Sequence, residues 1–301
     1  MSGLCGWIGH GNSTGENRVL IEAMAAPLAA FDASEVQTLQ GARCAAAVAA
    51  SHHSAHVYQN DGLLVALWGQ PLMAGDETGA LAERLAAAWR RDPDALCAQL
   101  SGAFSLCILD ETKNEALLAI DRMGTQQMSY QLAAGALVFG SSSDALIRHP
   151  LTPGAIDPQG LYNYVYFHMV PGPGTVYRGQ ERLLPGEYLR YRQGRIDKRA
   201  YWRMVFDEQH GQPEGPLKEE FKNVLRSSVR EAAGAQQVGA FLSGGTDSST
   251  IAGILTEVGG KPADTYSIGF EAEGYDEMSY ARLASKHFGT AHHEYLSLIH
   301  I

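Results

Sequence analysis

No run of apolar residues in this chain reaches the roughly 18 that a membrane-spanning helix needs. The opening stretch, MSGLCGWIGHGNSTGENR, also lacks the basic patch and apolar core of a secretory signal. A cytoplasmic protein without a membrane partner is therefore expected. Basic residues are in the minority, 23 Lys and Arg against 33 Asp and Glu, for a net charge of −10. That balance excludes binding to nucleic acid or an anionic membrane through bulk charge. Cysteine is scarce: Cys5, Cys44, Cys97 and Cys107 stand singly, with no Cys-x-x-Cys pair, so neither a disulfide framework nor a zinc site is encoded. The last three lie among alanines, leucines and serines and read as buried filler. What is present is ordinary for a packed protein, 45% hydrophobic and 19% charged over 301 residues. That length accommodates two domains of roughly 150 residues.

The first two hundred residues alternate strand pairs with helices. Residues 16–31 are rich in alanine and leucine and predict a helix, and 63–68 predict a short strand. Residues 79–100 predict two helices broken at Asp92-Pro93, because the proline ring disfavours a helical residue before it. Hairpins are expected for 104–109 with 116–120, and for 127–132 with 137–140. Residues 170–186 form a Pro- and Gly-rich loop, and QHGQPEGP at 209–216 reads as the domain boundary. Beyond it the rhythm is helix 217–233, strand 238–242, helix 247–258, strand 264–270, helix 275–288 and a strand starting near His292. Strands alternating with helices call for a parallel sheet.

The sharpest signal lies in QVGAFLSGGTDSSTIA. An apolar strand ends at Leu242, Ser243-Gly244-Gly245 turns, and a helix opens at Thr246 or Asp247. Two glycines permit positive φ and close backbone approach, so successive N–H groups can face one concavity. The helix start adds partial positive charge, and Ser243 and Ser248 add hydroxyls. Such a loop suits pyrophosphate, and it is not a Walker loop, since no Lys-Ser/Thr follows the glycines. A plain strand-to-helix turn capped by Asp247 or Thr246 is the other reading of Gly-Gly.

The SGG-x-DS string resembles the pyrophosphate loop of ATP pyrophosphatases, and its surroundings are similar to the glutamine-dependent asparagine synthetase family. TYSIGFEAEGYDEMSYARLASKHFGTAHHEY resembles that family's next strand, helix and strand. LSGAFSLCILD, LLAIDRMGTQQMSY, LVFGSSSDALIRHP and VPGPGTVYRGQERLLPGEYL resemble its N-terminal domain, in order. The resemblance implies an α+β, four-layer αββα Ntn-hydrolase-type sandwich over 1–208, a glutamine amidotransferase type 2-like domain. It implies the start of an α/β ATP-pyrophosphatase domain over 217–295. It further implies Mg2+ and ATP as cofactors and adenylation of a carboxylate, aspartate by default. Amide formation with ammonia or glutamine nitrogen follows, releasing AMP and pyrophosphate. By motif, Ser243, Gly244, Gly245, Asp247 and Ser248 hold the pyrophosphate, while Leu242 and Ile268 present backbone to the adenine. Core packing is the other reading of those last two positions.

The glutaminase half departs from the family pattern. Cys5-Gly6-Trp7-Ile8-Gly9 resembles the family's Cys-Gly-Ile-Ala-Gly start, whose cysteine attacks glutamine with its own α-amine as base. Here Met1-Ser2-Gly3-Leu4 precede it, and an amide nitrogen is not basic, so Cys5 can serve only if residues 1–4 are removed. Trp68-Gly69-Gln70 stands where the family has Asn-Gly-Glu, and losing one oxyanion donor costs about 3 kcal/mol of barrier. No Arg-Gly-Pro-Asp string supplies a guanidinium for the substrate carboxylate, and the segment after Gly69 is short. The domain is expected to keep its fold without hydrolysing glutamine. β-Lactam synthetases and lasso-peptide cyclases share that pattern, closing an amide within one substrate. A nucleotide-binding pseudoenzyme is the rival outside the ligase class.

Other features carry less. SHHSAH at 51–56 has no acidic or thiol partner at ligand spacing and reads as a polar loop, so no metal is assigned. His292-His293 reads as strand surface, and Asp276-Glu277 as helix-opening acids. The aromatics of LYNYVYFH, at helical spacing, read as core or as an interface in a homodimer. The final LSLIHI, residues 296–301, resembles the in-frame translation of a sequencing adapter and is expected to be an artefactual tail on a C-terminally truncated ligase domain. On that reading the 301-residue chain does not turn over ATP.

Overall fold

The structure, a computed structural model, describes residues 2–11, 14–30, 35–50, 53–75, 78–208, 211, 213–234, 238–270 and 277–297. The chain forms two compact units, Met1–Val205 and Phe206–Ile301. The first runs β1 (Gly3–Ile8), α1 (Thr14–Ala29), β2 (Glu35–Gln40), β3 (Cys44–Ala50), β4 (Ala55–Asn60), β5 (Leu63–Gly69), β6 (Leu72–Met73) and α2 (Leu81–Arg91). It continues β7 (Leu100–Ser101), β8 (Phe104–Asp110), β9 (Glu115–Ile120), β10 (Ser129–Ala133), β11 (Ala136–Gly140), α3 (Ser143–Leu146) and α4 (Pro158–Phe167). β12 (Glu181–Arg182), β13 (Glu187–Arg192) and β14 (Arg195–Ala200) complete it.

Two six-stranded sheets stack face to face, one ordered β12-β10-β11-β1-β3-β2 and the other β14-β13-β9-β8-β5-β4. Strand alternation divides the side chains among three apolar layers. Leu4, Ile8, Val48, Leu64, Leu118 and Phe139 fill the space between the sheets. The alternate residues Cys5, Trp7, Ala45, Ala47 and Val138 face α1 and α3, and Val65, Leu67, Leu106 and Ile108 face Leu85 and Trp89 of α2. The result is the four-layer αββα sandwich.

Both expected hairpins form, β8 with β9 and β10 with β11. The second turns through Ala134 and Gly135, both at positive φ. At Asp92 the helix ends as the proline predicts, but only a 3-10 turn at Cys97–Gln99 follows in place of a second helix. Residues 44–50 (CAAAVAA) carry no strand signal, since alanine favours helix. They nonetheless form the fully buried β3, where small side chains let α1 approach the sheet. His56 likewise lies on β4, not in a polar loop, and Ser51 and His52 lie outside the described residues.

The aromatics of α4 are not core. Tyr162, Tyr164, Tyr166 and Phe167 are 53–66% exposed, because the helix packs through Gly160. A Cβ there would stand 2.6 Å from the Thr175 carbonyl oxygen, so that face sits flat on the following loop.

Next to α3, His149 is 1% exposed, 5.3 Å from the Trp7 ring and 5.4 Å from that of His10. Its Nδ1 accepts from Leu151 N–H, while Nε2 has no partner among the described residues. Burial, with the nearby His10, lowers its pKa to about 4. Between about pH 6.5 and 4 the unfolded chain therefore holds a proton that the folded one refuses, so stability falls as the pH falls through that window. Urea unfolding at pH 7 and pH 5 is expected to show the parent losing roughly 2 kcal/mol more than a His149→Phe variant.

The second unit runs α5 (Glu214–Ala233), β15 (Gly239–Phe241), α6 (Thr246–Gly259), β16 (Asp264–Phe270), α7 (Met278–Phe288) and β17 (Ala291–Ser297). β15, β16 and β17 pair in that order, all parallel. Leu242, Ala252 and Ala281 form its small core. Along β16, Thr265 and Ser267 are buried, whereas Tyr266 and Ile268 are 45% and 54% exposed on the other face. α7 begins at Met278, later than Tyr275, and 271–276 lie outside the described residues. Leu296 and Ser297, placed in the tail from sequence, continue β17 opposite Gly269 and Phe270, and 298–301 are not among the described residues.

Candidate nucleotide site

β15 delivers the chain to a turn whose geometry only glycine tolerates. Gly244 has φ +85°, and an added Cβ would lie 2.4 Å from the Tyr280 carbonyl carbon and 2.5 Å from the Ala281 nitrogen. The loop therefore rests directly on the backbone of α7. Gly245 is the N-cap of α6 and no side chain caps that helix, so neither Asp247 nor Thr246 is its cap. The first-turn amides have no partner within the helix. Asp247 is exposed beside them.

Ser243 and Ser248 are tied together, with hydroxyl oxygens 3.0 Å apart and Ser243 N–H donating to Ser248 Oγ at 3.3 Å. Ser248 Oγ also donates to the Gly245 carbonyl at 3.3 Å. These bonds hold the two hydroxyls together at the turn.

A cleft of about 230 Å³ opens beside the loop, lined by Leu242, Ser243, Ile268 and, unforeseen from sequence, Ser267, Glu277 and Met278. The fold thus brings Leu242, Ser243 and Ile268 to one cavity, with Gly244, Gly245, Asp247 and Ser248 on the adjoining turn. Strand alternation in YSIGF was the available signal for Ser267. Leu242 is 1% exposed, and both its backbone groups are engaged, N–H to Tyr266 O at 2.9 Å and C=O by Ser267 Oγ. Ile268 is the more accessible of the two positions assigned to the adenine.

For a metal the picture differs. Among the described residues no group of three or more His, Cys, Asp or Glu could hold an ion.

Cys5 stands far from the geometry of a working nucleophile. It lies in the middle of β1, opposite Ala47 and Gly140, and is fully buried. Its side chain points into the layer under α1 and α3 with Trp7, Met24 and Leu146, away from the space between the sheets. Burial drives its thiol far above the usual range. Removing residues 1–4 would also strip Gly3 and Leu4 from β1, and Leu4 belongs to the inner core. At the end of β5, Trp68 packs against that same inner core, and Gly69 adopts φ +125°.

The comparisons with known proteins follow the two units. A family model described as Asparagine synthase matches residues 220–297, and one described as Glutamine amidotransferase domain matches 77–202. The second match begins beyond Cys5 and Trp68. Asparagine synthetase [glutamine-hydrolyzing] 3 of Bacillus subtilis strain 168 is 28% identical over 211 residues, covering 65% of this chain and 34% of that protein. Asparagine synthetase [glutamine-hydrolyzing] 1 of the same strain is 28% identical, over 66% of this chain and 32% of its own length. Amidase chry2 of Gibberella zeae is 24% identical over 64% of this chain and 31% of its own. The chain thus spans about a third of the length of these relatives. Among solved structures, glutamine phosphoribosylpyrophosphate amidotransferase from B. subtilis, complexed with ADP and GMP, is 14% identical at a TM-score of 0.42. That overlap covers 98% of this chain and 81% of the other. No described helix is long and apolar enough to cross a membrane.

Proposed function

We propose that this chain, which belongs to the asparagine synthetase family by its two matched domains, binds ATP on its second unit as part of an AMP-forming amide ligase and does not hydrolyse glutamine on its first. The observation that carries the first half is the uncapped Ser243–Ser248 turn beside an apolar cleft. Ser243, Gly244, Gly245 and Ser248 would hold the pyrophosphate end through backbone amides and hydroxyls, and the cleft at Ile268 would take the base. Mg2+ is commonly held by one or two carboxylates with phosphate oxygens. Asp247 is the carboxylate on this turn able to serve an ion carried in by ATP. In such ligases the nucleotide activates a carboxylate, aspartate being the family default, and an amine then displaces AMP.

The burial of Cys5 carries the second half. A fully buried thiol has no access to a carboxamide and cannot attack it. Ammonia, or an amine within the substrate as in β-lactam synthetases and lasso-peptide cyclases, would then supply the nitrogen.

Calorimetry of the full chain should register saturable ATP binding that pyrophosphate competes away. Incubation with glutamine should release no glutamate, and Cys5→Ala should leave that result unchanged. Absence of ATP binding overturns the first half, and Cys5-dependent glutamate release overturns the second.

A further inference from the structure

The parallel ladder between β15 and β16 stops one residue earlier than its spacing allows. Its last bond runs from Leu242 N–H to Tyr266 O at 2.9 Å. In a parallel pair the residues of one strand that bond a given neighbour alternate, so Tyr266 and Ile268 both turn their peptide groups toward β15. The next bond in the series would run from Ile268 N–H to Leu242 O. That carbonyl instead accepts from Ser267 Oγ, and register pairing ends at Phe241 with Tyr266. Ser267 is buried on the helix-covered face, while Ile268 is 54% exposed and lines the cleft. The other hydroxyls on that covered face behave differently: Thr265 bonds Thr290 at 2.9 Å, and Thr290 bonds Ser285 at 2.9 Å, side chain to side chain.

We infer that Ser267 is a positioning residue for the nucleobase: by occupying the Leu242 carbonyl it keeps the Ile268 N–H and C=O out of the ladder and available, as a paired donor and acceptor, to a base edge in the cleft. The inference rests on the reading of this cleft as a nucleotide site. A purine that offers an acceptor beside an amino group or N–H matches that pair. Without the hydroxyl, Leu242 O would be left buried and unpartnered, and the nearest remedy is to take the Ile268 N–H, which a ligand would then lose.

The test compares the full chain with Ser267→Ala and the hydroxyl-retaining Ser267→Thr. In the ligand-free parent the Ile268 amide should exchange rapidly with solvent, and in Ser267→Ala it should become protected at least tenfold. ATP affinity should fall about tenfold in Ser267→Ala, the weight of one neutral hydrogen bond. Affinity for inorganic pyrophosphate, which has no base, should stay within twofold, and Ser267→Thr should retain ATP binding. A purely structural role would weaken both ligands together. Equal loss of both, unchanged ATP affinity in Ser267→Ala, or an Ile268 amide already protected in the parent overturns the inference while leaving the nucleotide site standing. A parent that binds pyrophosphate but not ATP, or neither, overturns the nucleotide reading and this inference with it.

Discussion

Gly244→Ala is expected to abolish measurable pyrophosphate and ATP binding, a loss of about a hundredfold or more, and to destabilise the second unit by roughly 3 kcal/mol. Two independent costs meet at this position. The backbone stands at φ +85°, where an L side chain is strained, and the new methyl would overlap main-chain atoms of α7 at 2.4–2.5 Å. Main chain cannot swing aside as a flexible side chain can, so either the turn or the start of α7 must move. Either movement disperses the amides of Thr246, Asp247 and Ser248. Gly245→Ala is the control one residue away. Gly245 has φ −69°, and a methyl there would meet only Ser243 Oγ at 3.5 Å, an ordinary contact. Its stability cost should stay below about 1 kcal/mol. Titration of both variants with pyrophosphate, alongside urea unfolding, separates them. Equal behaviour would show that the loop conformation is not what binding needs.

Asp121→Ala should be among the most damaging substitutions in the first unit, at about 4 kcal/mol, or roughly 12 °C in Tm for a domain of this size. Asp121 is 2% exposed and sits where the chain leaves β9 in one sheet for β10 in the other. One carboxylate oxygen accepts from the amides of Met123 and Thr125, both at 3.0 Å. The other accepts from Thr125 Oγ1 at 2.7 Å, from Gln126 N–H at 2.9 Å and, more weakly, from Phe104 N–H at 3.4 Å. Its backbone carbonyl accepts from Gly124 and Gly186 N–H. Truncation leaves several donors unsatisfied at once in a crossover with little freedom to reorganise. Asp121→Asn should recover only part of the loss, since its NH2 must face one of those donors. Thermal unfolding of the three proteins checks the order, and a change below 1 kcal/mol for Asp121→Ala would contradict it.

Much of this was legible from residues alone, where local chemistry and tertiary context agree. The second unit could be read in order because its strands and helices differ sharply in period, and the SGGTDSS turn because glycine is demanded there. Burial was harder to read. Cys44–Ala50 has the composition of a helix and becomes a buried interior strand, because only small residues fit beneath α1. The aromatic helix α4 has the spacing of a core element, yet its buried contact is Gly160. The departures around Cys5 were visible as missing partners, but the side chain's direction, outward under α1 rather than between the sheets, follows from strand register. For Ser267 the alternation in YSIGF signals only which face it takes; its weight lies in one hydrogen bond to another strand, which no local pattern encodes.

The most direct measurement is a titration of the isotopically labelled full chain with pyrophosphate, followed by NMR. The amides of Gly244, Gly245, Thr246, Asp247 and Ser248 are expected to shift together in one saturable process, and ATP to compete for those same amides. A pyrophosphate titration that leaves those five amides unmoved, or that saturates at residues elsewhere in the chain, would contradict it.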